Sequence, residues 1–366
     1  MANQPFSKNT SRAPVSQRMQ NVDRVDSNAL GGMVSAEIND VEIKVPMGTT
    51  ILDAARSVDI EIPTLCHHDD LCIAGVCRIC VVEVEGMRTL QAACAFPIIH
   101  SIKVKTYTPR VRRARRNILA MLLRNHHGEC YSCYRNNNCK LQALAKDYGI
   151  TSYTFGHISE PKYEIDNSSY SVVRDMNKCI GCRRCVRTCI DLQEVGVLEA
   201  AQRGSKSKIE TYLDMPLNDV VCINCGQCIN RCPTGALHAQ DPTEEIWQAI
   251  DDPAKHVILQ TAPSPRAAIG EEFGYPAGTS VTKKLNTAIK HVGFDRVFDT
   301  TFTADLTIME EGTELLLRLK KALVEKDASV KLPQFTSCSP GWVKFIEHFY
   351  PEKLDYLSTA KSPQQM

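Results

Sequence analysis

Two runs of cysteines constrain this chain more than any other feature in it. Cys179, Cys182, Cys185 and Cys189 are separated by two, two and three residues, and Cys222, Cys225, Cys228 and Cys232 repeat that spacing, with Pro233 following. Bacterial two-cluster ferredoxins are built this way, the fourth cysteine of each run ligating the cluster of the other. Cys179, Cys182, Cys185 and Cys232 are therefore expected to hold one 4Fe-4S cluster, and Cys222, Cys225, Cys228 and Cys189 a second. Crossed ligation makes the two clusters neighbours, which suits electron hopping. Ile190 replaces the usual proline after the first run and leaves the ligands intact.

Two further constellations precede these runs. Cys66, Cys77, Cys80 and Cys94 have ten, two and thirteen residues between successive members. The close pair can grip one iron from a single loop while the outer two close a 2Fe-2S site, and Ala74-Gly75-Val76 supplies small residues that let backbone amides approach sulfur. A zinc ribbon is the competing reading of four cysteines alone. Cys72 fits no pair and reads as a structural thiol. His126, Cys130, Cys133 and Cys139, with three, two and five residues between them, make a set of one imidazole and three thiolates. By ligand count this set suits zinc as well as iron, and His127 is a rival to His126.

The 17 cysteines in 366 residues fall in tight steps, and neither a signal peptide nor a short scaffold accompanies them, so metal binding in a reducing compartment is favoured over disulfides. The formal net charge of +1 gives no reason to expect nucleic acid as a partner. No apolar run reaches the roughly 18 residues of a membrane-spanning helix. Met1 to Gly32 is polar and without apolar period and reads as a disordered tail, its basic start being a faint transit-peptide signal.

Residues 33–48 alternate apolar and polar around Asn39-Asp40, a hairpin pattern, and Thr49 and Thr50 then cap a short helix over 51–56. Hairpin, helix and cysteine cluster in that order predict a β-grasp 2Fe-2S domain over 33–108. A helical module over 109–160 carries the His126 set. Its helix from Pro109 to Leu123 bears Arg110, Arg112, Arg113, Arg115 and Arg116, either a solvated face or a docking face for an acidic partner. The two-cluster ferredoxin domain is expected over 161–252, entered by a linker from Pro161 to Ser171. From 253 to 366 strand and helix alternate: a strand at Val257 to Thr261, a helix from Val281 to Val292, a strand at Arg296 to Asp299 and a helix from Ala304 to Lys321. That pattern predicts the start of an α/β domain. The fold class is thus α+β and modular.

The order of these modules resembles two families, the large iron-sulfur subunit of respiratory complex I with related formate dehydrogenases, and the multi-cluster iron-only (FeFe) hydrogenases. Residues 257–366 separate them. Thr261-Ala262-Pro263-Ser264, the stretch Asp305 to Glu314, and Thr336-Ser337-Cys338-Ser339-Pro340-Gly341-Trp342 resemble the opening of the hydrogenase catalytic domain. The resemblance implies reversible formation of H2 from protons and electrons at an H-cluster in the complete enzyme, with Pro263 and Ser264 lining its di-iron pocket. It also implies that His126 ligates a third 4Fe-4S cluster, and that Glu311, Glu314 and Arg318 form a proton path. Spacing alone would make those three an ordinary charged helix face.

Two departures accompany the likeness. The family motif has two adjacent cysteines where this chain has Cys338 followed by Ser339, so Cys338 is left as cube ligand or proton donor but not both. The later motifs that supply the other cube cysteines do not occur, so the chain reads as truncated after the first H-cluster motif and is expected to be inactive by itself. The resemblance implies one 2Fe-2S and three 4Fe-4S clusters, and electrons from ferredoxin or from an NADH-oxidising flavin and iron-sulfur subunit of an NAD-linked, multi-subunit enzyme. The cysteine usage makes a cytoplasmic location the expectation, with a hydrogenosome or another organelle as alternative. The competing functions are a non-catalytic electron carrier or redox sensor and a complex I-type subunit.

Overall fold

A computed structural model of the protein describes residues 31–151, 155–156 and 162–366. The predicted tail lies outside these up to residue 30, as does Pro161 at the start of the predicted linker. The backbone groups into two compact units, one of Met1–Cys222 with Gly226–Gln240, the other of Ile223–Cys225 with Asp241–Met366.

The first unit opens with the predicted hairpin, β1 (Met33–Ile38) and β2 (Val41–Pro46). Asn39 and Asp40 both take positive φ, 49° and 69°, which the tight turn between twisted strands requires. The Asn39 side chain is also tied to Thr106, donating to its hydroxyl at 2.7 Å and accepting from its backbone N–H at 2.8 Å. Three more strands, β3 (Val81–Val84), β4 (Gln91–Ala92) and β5 (Ile102–Lys105), complete a sheet ordered β2-β1-β5-β3-β4, in which β1 and β5 run parallel. Helix α1 (Ile51–Arg56) is capped by Thr50, whose hydroxyl accepts from the Asp53 N–H at 3.1 Å. It buries Ile51 and Leu52 with Ile38, Val82 and Val104 of the sheet. Each such side chain contributes about 1.5–3 kcal/mol by leaving water.

Helix α2 (Pro109–Arg124) has Thr108 as its cap and Pro109 in its first turn. Of the arginine run on it, Arg110, Arg112, Arg113 and Arg116 are exposed and Arg115 is not. Arg115 is 2% exposed, on the same stripe as buried Val111 and Leu119. Its Nε and Nη2 donate to the Val81 carbonyl at 3.2 and 2.8 Å, and Nη1 donates to the Tyr148 hydroxyl at 3.0 Å. Helix α3 (Lys140–Asp147) adds Leu141 to a small core with Leu65, Ile79 and Leu119, against which Cys77 and Cys139 pack.

The cysteine runs sit among short elements. Strand β6 (Val172–Arg174) pairs with β9 (Leu237–Ala239), and β7 (Glu199–Ala201) pairs with β8 (Lys208–Glu210). Helices α4 (Arg184–Arg187) and α5 (Gln227–Arg231) lie within the two runs. Residues 162–171 hold no helix or strand, but Asp166 bridges to Arg174 by two backbone bonds of 3.0 and 2.8 Å.

The second unit contains α6 (Thr243–Asp251), parallel strands β10 (Ile258–Thr261) and β11 (Arg296–Asp299), and helices α7 (Pro263–Ala268), α8 (Thr282–Val292), α9 (Thr300–Leu319) and α10 (Pro340–Phe349). Helix α9 begins four residues before the predicted Ala304, because the Asp299 carboxylate caps it, accepting from the Thr301 N–H at 2.9 Å. Phe302, Met309, Leu316 and Leu323 recur every seven residues along α9 and the turn after it, 67–75% exposed. Among the described residues no helix is long and apolar enough to cross a membrane.

Candidate metal centres

The four thiols of the first constellation meet in the first unit. Cys66, Cys80 and Cys94 are buried and Cys77 half-buried. Cys80 and Cys94 sulfurs are 3.4 Å apart, and the Cys66 N–H donates to Cys77 Sγ at 3.4 Å. Bonds from Cys77 and Cys94 pull the Cys66 thiol down to about 2, and Cys94 pulls Cys80 down to about 7. The same bonds push Cys77 and Cys94 up. The protons that remain on these thiols must leave when metal enters. Gly75 and Arg78 bend the loop with φ of 60° and 58°. The donor set and its inward amide fit a 2Fe-2S cluster.

His126, Cys130, Cys133 and Cys139 line one cleft, together with Gly235. His126 is buried, and its Nδ1 lies 3.1 Å from the Lys178 carbonyl oxygen. A carbonyl only accepts, so Nδ1 carries the proton and Nε2 keeps its lone pair. Burial pushes the imidazole pKa down to about 4 against the pull of that bond, leaving a neutral ring. These features fit a metal-ligating histidine whose second nitrogen is anchored. The rival His127 also lines the cleft. Its backbone N–H is donated to the Asn177 carbonyl at 2.9 Å, and its Nε2 stands 3.9 Å from Glu129 Oε1. Gly235 is required by space, since a Cβ there would lie 2.6 Å from Cys133 Sγ.

The two ferredoxin-type runs share a backbone device. In each, the residue two after the first cysteine and the residue after the second take positive φ: Gly181 (64°) and Arg183 (58°), then Asn224 (57°) and Gly226 (69°). In the first run two amides reach sulfur. The Gly181 N–H donates to Cys179 Sγ at 3.4 Å and the Val197 N–H to Cys189 Sγ at 3.3 Å. Burial pushes Cys179 up to about 12 and Cys182 to about 11, and raises Cys185 as well. Such thiols stay protonated unless iron neutralises them. Cys222, Cys228 and Cys232 are half-buried and Cys225 is exposed. Cys72, outside every set, donates to Asp191 Oδ2 at 3.3 Å, and burial raises its pKa, in keeping with a structural thiol.

Three arginines that the spacing did not reveal join the 2Fe-2S loop to the two runs. Arg184 donates to the His67 carbonyl, Arg187 to those of Cys66 and Cys72, and Arg231 to the Asp70 carboxylate at 3.1 Å. Among the described residues no three donors converge as ligands of a single metal ion would. Cluster thiolates are distributed over several irons, so such convergence is not needed.

Residues of the predicted catalytic region lie in the second unit. Pro263 and Ser264 open α7, and Cys338 is exposed before Ser339, the cap residue of α10. Glu314 Oε1 accepts from Arg318 at 2.6 and 3.0 Å, and its Oε2 accepts from Ser358 Oγ at 2.7 Å and Thr359 N–H at 3.0 Å. Burial would raise the Glu314 pKa, but these donors outweigh it and hold the carboxyl below its ordinary value. Glu311 sits one turn earlier with Oε1 buried and unpartnered. Cys338 is the one cysteine in 255–366, so these residues alone do not fit a cube held by cysteines.

Four family descriptions match in succession: a 2Fe-2S cluster binding domain over 31–109, an NADH-ubiquinone oxidoreductase-G iron-sulfur binding region over 115–153, an NADH-quinone oxidoreductase subunit 3 ferredoxin-like domain over 170–238, and the C-terminal domain of the iron-only hydrogenase large subunit over 255–366. The chain is 50% identical over 341 residues to the NADP-reducing hydrogenase subunit HndD of Solidesulfovibrio fructosivorans, covering 91% of this chain and 58% of the relative. It is 38% identical over 332 residues to iron hydrogenase 1 of Clostridium pasteurianum, covering 90% and 56%. The chain thus spans somewhat over half the length of these relatives. A chain in the crystal structure of an NAD+-reducing [NiFe]-hydrogenase in the H2-reduced state aligns with a TM-score of 0.53 at 31% identity, covering 57% of this chain and 87% of that one.

Proposed function

Because the chain belongs to the iron-only hydrogenase family, as a large subunit with iron-sulfur electron-transfer domains, we propose that it is the electron-wiring portion of an NAD(P)-linked FeFe hydrogenase. Cys66, Cys77, Cys80 and Cys94 would hold a 2Fe-2S cluster in a β-grasp domain. His126, Cys130, Cys133 and Cys139 would hold a 4Fe-4S cluster, and the crossed sets of the two runs would hold two more. When bound, these clusters supply reversible one-electron transfer between a donor and the catalytic domain. The chain's own residues bend the ligand runs, anchor the His126 ring, aim amides at sulfur and exclude water from Cys182 and Cys185.

The observation that carries this reading is the matched pair of left-handed bends in the two runs, at Gly181 and Arg183 and at Asn224 and Gly226. Donors of the class expected are reduced ferredoxin or an NADH-oxidising flavin subunit, acting in a multi-subunit assembly in the cytoplasm or an organelle such as a hydrogenosome. A second reading is a non-catalytic carrier or redox sensor; with one thiol in 255–366, these 366 residues by themselves would not catalyse H2 chemistry. The hydrogenase match over 255–366 argues against a complex I-type subunit.

Anaerobic purification with iron and sulfide analysis tests the proposal. About 14 irons per chain are expected from one 2Fe-2S and three 4Fe-4S clusters, with reduction by dithionite giving the spectra of both cluster types. Stoichiometric zinc in place of a 4Fe-4S cluster would remove the His126 assignment. Hydrogen evolution by these 366 residues alone would overturn the inactive reading.

A further inference from the structure

Two guanidinium groups are buried in the first unit without an acid. Arg184 and Arg187, 3% and 8% exposed, lie on α4 within the run from Cys182 to Cys189. Arg184 Nη2 donates to the carbonyl of His67, the residue after Cys66. Arg187 Nη2 donates to the carbonyl of Cys66 itself at 2.6 Å, and its Nη1 to that of Cys72. Both arginines therefore stand where the 2Fe-2S ligand loop meets the first 4Fe-4S ligand run. The acids around them are committed elsewhere. Asp69 pairs with Arg56 at 2.8 Å, Asp70 pairs with Arg231 at 3.1 Å, and Asp191 accepts from the Cys72 thiol. Among the described residues neither Arg184 nor Arg187 forms an ion pair, and Arg184 Nε is buried with no hydrogen-bond partner.

Burying an unpaired charge is so costly that proteins pair such groups or neutralise them, and arginine does not readily neutralise. Carbonyl dipoles offset only part of the cost. The missing anion is supplied if iron-sulfur clusters occupy the two ligand sets, since a cluster held by four thiolates is net negative in both its oxidation states. We propose that Arg184 and Arg187 are counter-ions shared by the 2Fe-2S cluster and the first 4Fe-4S cluster, raising the reduction potentials of both and fastening the two ligand segments together. The inference rests on the cluster assignments proposed above. Its sign is fixed by charge: reduction adds an electron, a nearby cation stabilises the reduced state, and removing the cation lowers the potential.

The test is redox titration of the full chain followed by electron paramagnetic resonance, after iron analysis has established cluster content. In Arg184→Gln and in Arg187→Gln the midpoints of the 2Fe-2S cluster and of one 4Fe-4S cluster are expected to fall together, by about tenfold in the reduction equilibrium, or about 59 mV for one electron. Arg184→Lys keeps a cation and should recover at least half of that fall. Arg112→Gln, on the helix that carries the His126 module, should change neither midpoint. Midpoints unmoved in both glutamine variants at full iron content would overturn the proposal, as would an Arg184→Lys chain shifted as far as Arg184→Gln. If Arg184→Gln does not retain its clusters, Arg187→Gln and Arg184→Lys decide by the same criteria. A wild-type chain without iron would instead dismiss the cluster assignments, a failure visible before any potential is measured.

Discussion

The Nδ1 of His126 lies 3.1 Å from the carbonyl oxygen of Lys178, the residue immediately before Cys179. The same oxygen accepts from Thr234 Oγ1 at 2.9 Å, two residues after Cys232. One backbone carbonyl therefore fixes the tautomer of a candidate ligand in one cluster site and braces both chain ends of the next.

Replacement of His126 separates it from its neighbour. His126→Ala is expected to lose about four irons, while His126→Cys keeps them and lowers the potential of that cluster, because a thiolate is more negative than an imidazole. His127→Ala should retain full iron. Loss of the same cluster in His127→Ala, with His126→Ala unaffected, would reverse the assignment.

Gly235 allows a steric probe that changes no charge. With its Cβ placed 2.6 Å from Cys133 Sγ, Gly235→Ala must displace that sulfur or its own loop. Iron content should drop by about four per chain, with the 2Fe-2S signal intact. An unaltered iron count would show that the loop gives way cheaply.

Arg115 and Arg112 differ in burial though they stand three residues apart. Arg115→Ala removes three donors from buried partners and should cost roughly 1.5–3 kcal/mol, read as a lower midpoint in urea unfolding. Arg112→Ala should be nearly neutral. Equal effects would contradict the structural role given to Arg115.

Asp166 provides a pH dependence. Burial works to raise its pKa, but Ser168, the Leu217 N–H and Arg174 together hold the carboxyl below its ordinary value. A depressed folded value contributes stability that is complete above the unfolded pKa, about 3.9, and is lost as pH falls through the folded value. The stability gap between wild type and Asp166→Asn should be full at pH 7 and close in that acid range. A gap independent of pH in urea unfolding would refute it.

Cys338 is the exposed thiol outside the proposed ligand sets. With iron bound, alkylation followed by mass spectrometry should find one label, at Cys338. Labelling at Cys130 or Cys225 would remove those residues from the ligand sets.

What the sequence disclosed and what it concealed divide by range along the chain. The hairpin turn at Asn39-Asp40, the Thr50 cap and the cysteine spacings depend on residues a few positions apart, and the chain displays them directly. The start of α9 was missed by four residues because its signal, the Asp299 cap, lies in the preceding strand. The buried status of Arg115 was also hidden, since it depends on Val81 and Tyr148 coming to the same place. So were the Lys178 carbonyl, the closeness of Gly235 to Cys133, and the arginines that reach from one cysteine run to the loop of another. Charge patterning along one helix could not distinguish Arg115 from its neighbours, because all the arginines look alike until the sheet is assembled.

The stripe of Phe302, Met309, Leu316 and Leu323 bears on how this protein will behave in a tube. Apolar side chains at seven-residue intervals make a seam suited to another helix, and sulfate salts strengthen such contacts by being excluded from protein surface. Light scattering should rise with protein concentration and with ammonium sulfate, and fall when Met309 and Leu316 are changed to glutamate. The colloidal lifetime of the sample is thus expected to depend on a helix remote in sequence from every cysteine run.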